Sequence, residues 1–424
     1  MVGVSREQTM TRSERQEECV KNWIKAGGKG SIIASTGFGK TRVAILAIKR
    51  VLTKFPDFKT LVVVPTTNLK DQWEKTLKEW ELDQCAIVRV VNTVIMHNWK
   101  ADILVIDEIH LIPSMSRISI FDKVNYKLVL GLTATFERLD GRDNLLNKYC
   151  PVCDEVTMAD VIANGWVADY VEYEVLIDVD NLEEYEKIQR DFQSHFEFFG
   201  YSFELAMSLI GSNGFRNRQE YAKNISGNNA VYKENLKKIT MHAIGFMQAM
   251  QKKKAFINNH SRKVELARDI INARKDSKII TFSNSIKMAE AIGIGPVYSG
   301  KDSKKHSKKV LEKFAEADKG VINSSKMLVA GADIKGVNCL IILGNDSSQT
   351  RAIQTRGRGI RVEGDKFTEV FNLVINDTQE TTWFEKSHRN VNVVKIDVDN
   401  LYKVLNHESF ETYKRPVSKF IYRF

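Results

Sequence analysis

The sequence predicts an α/β protein made of two parallel-sheet units with a helical segment between them. Three observations carry this reading. From Thr11 to Val171, short β-branched runs alternate with stretches of helical apolar spacing. Between Asn181 and Asn259 the β-branched runs vanish and only helical periodicity remains. From Val264 to Ile375 the alternation resumes. Runs such as Leu61–Val64 and Ile103–Ile106 are apolar throughout, as strands covered on both faces are. Strands of that kind joined by helices form parallel sheets, with ligands at the carboxyl ends of the strands.

In the first unit, Thr11–Lys25 presents Cys19, Val20, Trp23 and Ile24 on one helical face and stops at Gly27-Gly28. Ile32–Ala34 reads as a strand, and Thr41–Leu52 as a helix with Val43, Ala44, Leu46, Ala47 and Val51 on its apolar side. Leu61–Val64 is a strand ended by Pro65, and Leu69, Trp73, Leu77 and Trp80 mark the next helix. Ala86–Val91, Ile103–Ile106 and Leu128–Leu132 are further strands, and Gly141–Val171 completes the unit. The middle segment reads as helices at Leu182–Phe199, Phe203–Ile210, Phe215–Ile225 and Val231–Met250, with Phe192, Phe196, Phe198, Phe199 and Tyr201 as core aromatics. The second unit begins with a Val264–Ala273 helix and a Lys278–Phe282 strand. A helix at Ile286–Ile292 and a strand at Pro296–Tyr298 follow. Val310–Phe314 is helical, and Gly320–Ile322, Cys339–Leu343 and Phe367–Ile375 are strands. The expected boundaries are 1–176, 177–260 and 261–424.

A chain of 424 residues supports two or three domains. Hydrophobic content of 43% with 27% charged residues excludes a disordered or fibrous chain. The net charge of +10 favours an anionic partner such as nucleic acid. Five cysteines at irregular spacing fit a reducing compartment and no disulfide scaffold. Cys150 and Cys153 lack a second pair at metal spacing, so they read as ordinary buried or half-buried thiols. Met1–Gln16 is polar and no apolar run approaches the ~18 residues of a membrane span, so the expectation is a soluble intracellular protein without a membrane partner.

Four stretches carry chemistry. Ser31–Thr41 combines a strand, a turn with Gly37 and Gly39, and Lys40-Thr41 opening a helix. That is a phosphate loop: the N–H groups of Thr36, Gly37, Phe38, Gly39, Lys40 and Thr41 point into one concavity, Lys40 reaches the β/γ-phosphates, and the Thr41 hydroxyl ligates Mg²⁺. Ala34 stands where the general pattern has its first glycine. Nucleotide hydrolysis also needs a carboxylate for the metal and a group to polarise water, which Asp107 and Glu108 supply at a strand end, with His110 beside them. Thr133 and Thr135, in Gly131–Gly141, are small hydroxyl residues at another strand end, placed to link the acidic pair to a moving surface. Gln354–Arg361 carries Arg358 and Arg361 three apart on one helical face, as an arginine finger requires.

The set resembles the helicase motifs of the superfamily 2 DExH enzymes. Ala34–Thr41 matches AxTGxGKT, Asp107–His110 matches DExH, Gly131–Gly141 is similar to GLTATPxRxDG with Phe136 for proline, and Gln354–Arg361 matches QxxGRxxR. Val62–Trp73, Thr281–Asn284 and Ser325–Asp333 resemble further motifs in the same order, over about Arg15–Arg361. The compact form most resembles the phage branch-migration (UvsW-like) and XPB-like DNA helicases. The resemblance implies two tandem RecA-like P-loop domains with ATP and Mg²⁺ between them. It gives Gln16 an adenine-reading role, Gly331 and Asp333 contact with the nucleotide, Gln354 the placing of water, and Arg358 and Arg361 action in trans. Thr66, Thr281 or Ser283, and Ser325 would touch the nucleic-acid backbone. The implied protein is an ATP-dependent DNA helicase or translocase acting as a monomer on single-stranded, forked or branched DNA. Its setting would be phage-type replication, recombination or repair in the cytoplasm of an infected host. An RNA helicase, or an ATP-gated clamp that remodels without processive unwinding, fits the same motifs.

Overall fold

The computed structural model describes residues 10–112, 117–134, 144–166, 170–211, 213–299, 304–325, 334–345, 367–388 and 391–410. The strands of the first half are β1 (Lys29–Ala34), β2 (Thr60–Val64), β3 (Ala86–Val90), β4 (Trp99–Lys100), β5 (Ile103–Asp107), β6 (Val124–Asn125), β7 (Leu128–Thr133) and β8 (Val152–Val156). Six of them form one sheet in the order β3-β2-β5-β7-β1-β8, and β4 pairs with β6. The remaining strands are β9 (Tyr170–Ile177), β10 (Lys278–Ser283), β11 (Val297–Tyr298), β12 (Gly320–Ser325), β13 (Cys339–Ile342), β14 (Thr368–Ile375) and β15 (Val394–Asp397). They form a second sheet, β11-β12-β10-β13-β14-β9-β15. All these pairings are parallel.

Each sheet is covered on both faces, which is why its strands are apolar without alternation. Along β5, Ile103 and Val105 enter one cluster with Trp23, Ile45, Ile48 and Trp73, while Leu104 and Ile106 enter the other with Ile109, Ile120 and Phe121. In the second sheet, Ile279 of β10 joins one cluster and Ile280 and Phe282 the other. The protein is therefore α/β with two parallel sheets flanked by helices, as the alternation predicts.

The strand preceding the helical segment departs from the expected boundary. Tyr170–Ile177 pairs with β14 on one side and β15 on the other, so it belongs to the second sheet. The stretch Gly141–Val171 therefore closes the first unit through β8, but its last two residues, Tyr170 and Val171, already belong to the second sheet. The end of that unit moves from 176 to before Tyr170, and the helices are inserted into the second unit after its first strand. Chain order alone cannot show this, because an apolar strand can join either neighbouring sheet. The inserted helices Leu182–Phe198 and Asn229–Asn258 run antiparallel, with Tyr185 against Phe256, Phe192 against Phe246 and His195 against His242. Gly245 permits this approach, since a Cβ there would sit 2.2 Å from His195 Nε2. Phe192, Phe196 and Phe199 are core residues as expected, whereas Phe198 and Tyr201 are 40% and 61% exposed.

The second unit also buries an ion pair. Lys263 Nζ donates to Glu380 at 2.6 and 2.7 Å and to Leu343 O at 2.8 Å, and neither side chain has any exposure. Glu380 in turn accepts from Ile375 N at 2.8 Å. The pair ties a helix to the ends of β13 and β14. Lys263→Met leaves the Glu380 carboxylate buried without its cation and is expected to cost about 3–5 kcal/mol. Amide hydrogen exchange of β13 and β14 checks this, with exchange there accelerated and that of β1 and β5 unchanged.

Candidate nucleotide site and nucleic-acid face

Three of the sequence motifs meet at the carboxyl ends of three adjacent strands. In the parallel register Ile33 of β1 lies beside Thr133 of β7, and Leu132 of β7 lies beside Asp107 of β5. Segments about a hundred residues apart in sequence thus end in one row, with neighbouring strands roughly 4.8 Å apart.

The loop from β1 to the Lys40–Leu52 helix turns on two glycines, Gly37 with φ 88° and Gly39 with φ 95°. A left-handed conformation is open to glycine at little cost. Gly39 has a second reason to lack a side chain: a Cβ there would lie 2.7 Å from Gln16 Nε2. Lys40 Nζ donates to Ala34 O at 3.3 Å. Phe38 is fully buried, its ring 5.6 Å from that of Trp166.

The helix Arg12–Lys25 braces this loop. Its first turn is fixed by a capping box in which Thr11 Oγ1 accepts from Glu14 N and Glu14 Oε2 accepts from Thr11 N. Gln16 Nε2 then donates to Phe38 O at 2.6 Å, and its Oε1 accepts from Arg42. Arg12 donates to Phe38 O at 2.9 Å and to Gly37 O at 2.5 Å. Sequence reasoning placed Gln16 here and missed Arg12 and Arg42. Arg12 lies one helical turn before Gln16 on the same face, a spacing that could have pointed to it.

At the end of β5, Asp107 is 8% exposed and both its oxygens are held. Oδ2 accepts from Trp73 Nε1 at 2.9 Å and Oδ1 accepts from Glu108 N at 3.0 Å. Burial and, next, the Glu108 charge push Asp107 up to about 6, against the pull of the Trp73 N–H and of Lys40. Glu108 adopts φ 52°, a left-handed backbone uncommon for a glutamate, and its buried Oε2 has no hydrogen-bond partner although His110 Nδ1 lies 3.3 Å away. His110 Nδ1 is 2.9 Å from Thr133 Oγ1, which links the end of β5 to the end of β7. Gly131 leaves room beneath this link: a Cβ there would meet Ser31 Oγ at 2.5 Å and Ile109 Cδ1 at 2.6 Å. Two carboxylates at the end of β5, one with a buried oxygen that accepts no hydrogen bond, and a hydroxyl residue, Thr41, in the first turn of the helix after the phosphate loop are the hard-oxygen donor types that fit Mg²⁺ with phosphate.

The nucleic-acid candidates divide. Thr66 is the N-cap of the Thr67–Glu79 helix and accepts from Leu69 N at 3.3 Å. Ser283 and Ser325 face each other in register at the carboxyl ends of β10 and β12. Thr281 is corrected: it has no exposure and its hydroxyl donates to Asn323 Oδ1 at 2.8 Å inside the sheet, so its side chain cannot touch a bound strand. Thr135, Gly331, Asp333, Gln354, Arg358 and Arg361 lie outside the described residues. Cys150 is buried and Cys153 half-buried, both thiols free. Among the described residues no group of three or more His, Cys, Asp or Glu is placed to hold a metal ion by itself, and no helix is long and apolar enough to cross a membrane.

A phosphate loop and an acidic strand end on one parallel sheet, followed by a second parallel sheet, define the class of two-sheet α/β phosphate-loop proteins. Comparison with known proteins narrows the class. Residues 9–98 match the family model for the type III restriction enzyme res subunit, and residues 262–363 match the helicase conserved C-terminal domain. The DNA 3'-5' translocase XPB2 of Sulfurisphaera tokodaii is 25% identical over 388 residues, covering 86% of this chain and 82% of that protein. A putative ATP-dependent RNA helicase of African swine fever virus is 26% identical over 192 residues, 38% of this chain, which thereby spans about a third (36%) of the viral protein. The structure of Saccharomyces cerevisiae Dbp5 bound to RNA and ADP BeF3 superposes with a TM-score of 0.59 at 12% identity, covering 92% of this chain and 91% of that one. The two family models and the translocase match support a superfamily 2 helicase, and the fold is that of two RecA-like domains. By family it is an ATP-dependent enzyme of nucleic acid.

The raised value at Asp107 makes stability depend on pH in a defined direction. The fold disfavours the ionised form, so the cost sets in as pH rises from the usual 3.8 and is complete above about 6. Asp107→Asn is expected to stabilise the metal-free protein above that pH by on the order of 1–3 kcal/mol. Urea denaturation at a series of pH values should show the gain shrinking toward pH 4.

Proposed function

We propose that the chain is an ATP-driven DNA translocase and helicase that remodels forked or branched duplexes and acts as a monomer. The observation that carries this is the meeting of Lys40, Asp107, Glu108 and Thr133 on three adjacent strand ends. The match to a DNA translocase, covering 86% of this chain and 82% of that protein, supports DNA as the substrate. The sequence resemblance to branch-migration helicases is the support for a role in phage-type replication, recombination or repair.

In this reading Lys40 and the N–H groups of Thr36–Thr41 bind the phosphates, and Gln16 reads the base from the braced helix. Thr41 and Asp107 hold Mg²⁺, which when bound neutralises phosphate charge. Glu108, its Oε2 unpaired, orients water for in-line attack. Gln354, Arg358 and Arg361 act from the second domain, with Gly331 and Asp333 beside the nucleotide. Thr66, Ser283 and Ser325 touch the strand's phosphates, a contact that positions without reading sequence. The His110–Thr133 link carries the change at Glu108 to the end of β7, and Thr135 extends it. The working division of the chain is a first domain ending before Tyr170 and a second from Tyr170 onward, with the helices of 182–258 as an arm of the second that grips or splits the duplex.

Lys40→Ala is expected to lower nucleic-acid-stimulated ATP turnover by on the order of 10²–10³-fold. Turnover and strand displacement measured with single-stranded, duplex, forked and junction DNA and with RNA test the substrate. Stimulation by DNA with displacement of a forked strand supports the proposal. Stimulation by RNA alone makes the chain an RNA helicase. Stimulation by duplex without displacement makes it a clamp or remodeller. A fall in stimulation with rising salt reports the phosphate contacts.

A further inference from the structure

Trp73 is the largest side chain near the acidic pair, and none of the roles above uses it. Its ring is 2% exposed and packs in the core beneath β2 and β5 with Val62, Val64, Leu77 and Val105. Packing alone would be met by any large apolar residue. The indole, however, has a single donor, and that donor is spent on Asp107 Oδ2 at 2.9 Å. The other oxygen, Oδ1, is held by Glu108 N at 3.0 Å, from within Asp107's own strand end. One of the two restraints on the carboxylate thus comes from a different element, the Thr67–Glu79 helix. That helix begins at Thr66, at the carboxyl end of β2, where the nucleic-acid strand is read to bind. Trp73 lies seven residues beyond the cap, about 10 Å along a rigid helix. Any tilt or axial shift of the helix when its N-terminus takes up phosphate moves the indole N–H relative to the carboxylate.

We propose that Trp73 is a positioning residue that sets the orientation of Asp107 toward Mg²⁺ and couples it to nucleic acid held at Thr66. The proposal rests on the reading of Asp107 as the metal carboxylate. The natural aromatic replacement without a donor is Trp73→Phe. A second variant carries benzothienylalanine at position 73, which keeps the bicyclic shape and lacks the N–H. Both remove the donor, and the benzothienylalanine variant also keeps the bicyclic body that Trp73→Phe gives up.

The test is Mn²⁺ binding, followed by electron paramagnetic resonance, in the presence of a non-hydrolysable ATP analogue, with and without single-stranded DNA. In the parent protein DNA is expected to tighten Mn²⁺ binding. In both variants Mn²⁺ is expected to bind roughly 10- to 100-fold more weakly, the usual effect of removing a hydrogen bond to a metal ligand, and the DNA-dependent tightening is expected to vanish. Thermal unfolding of the benzothienylalanine protein within a few degrees of the parent separates this from loss of fold. Unchanged Mn²⁺ affinity with the DNA effect intact overturns the proposal. So does weakened binding that DNA still tightens by the parent factor, since Trp73 would then only pack. Asp107→Asn keeps the two readings apart: if it leaves Mn²⁺ binding at the parent level, the metal site itself is wrongly assigned, and Trp73 is not what failed.

Discussion

The parallel register of β5, β7 and β1 is the constraint on which the site depends. It sets Asp107, Thr133 and the loop after Ala34 side by side at the carboxyl ends of the central strands. A slip of one residue in a strand would turn each of its side chains to the opposite face. That slip is resisted by the two separate cores, since β5 sends Ile103 and Val105 to one and Leu104 and Ile106 to the other. The precision of the chemistry at the strand ends is thus underwritten by apolar packing well below them. Full burial of each such side chain contributes about 1.5–3 kcal/mol.

What the site adds to this frame is a set of charged and polar groups that the fold holds at a cost. Asp107 is buried beside Glu108, and Glu108 keeps a left-handed backbone and a buried oxygen that accepts no hydrogen bond. A sheet built only for stability would not retain these. Their surroundings restrain them instead of relieving them: Trp73 and a backbone N–H fix the aspartate, and His110 bridges to Thr133. Such strain concentrates where a ligand is to complete the arrangement.

The phosphate loop and the acidic pair were legible in the sequence because their chemistry is local: glycines, lysine and threonine in one turn, two carboxylates at the end of an apolar run. The helical character of the inserted segment was legible for the same reason, as a period. Other features were hidden by double meaning. Trp73 fits helical spacing so well that its N–H goes unnoticed. Lys263 and Glu380 look like surface charges and are a fully buried pair. Thr281 has the residue type for a phosphate contact, but sits one pleat too far inside the sheet, against Asn323. Arg12 and Arg42 read as ordinary helix-surface cations, and only the path of the chain brings them to the loop.

The placement of β9 sets a timetable for the growing chain. Glu172 bonds to Asn372, 200 residues further on. At about 5–20 residues per second, a ribosome takes roughly 10–40 s to make that interval. Among the described residues the first sheet contains no strand beyond β8 and can assemble in that time, whereas β9 must wait for both of its neighbours. An unpaired apolar strand is a template for adhesion to other chains. This one carries Glu172 and Glu174 among its apolar residues, and both become almost fully buried once Asn372, His388 and Lys395 arrive to meet them. The same two carboxylates keep the waiting strand hydrated and repel its copies on neighbouring nascent chains. Their burial later marks the moment when the sheet is complete.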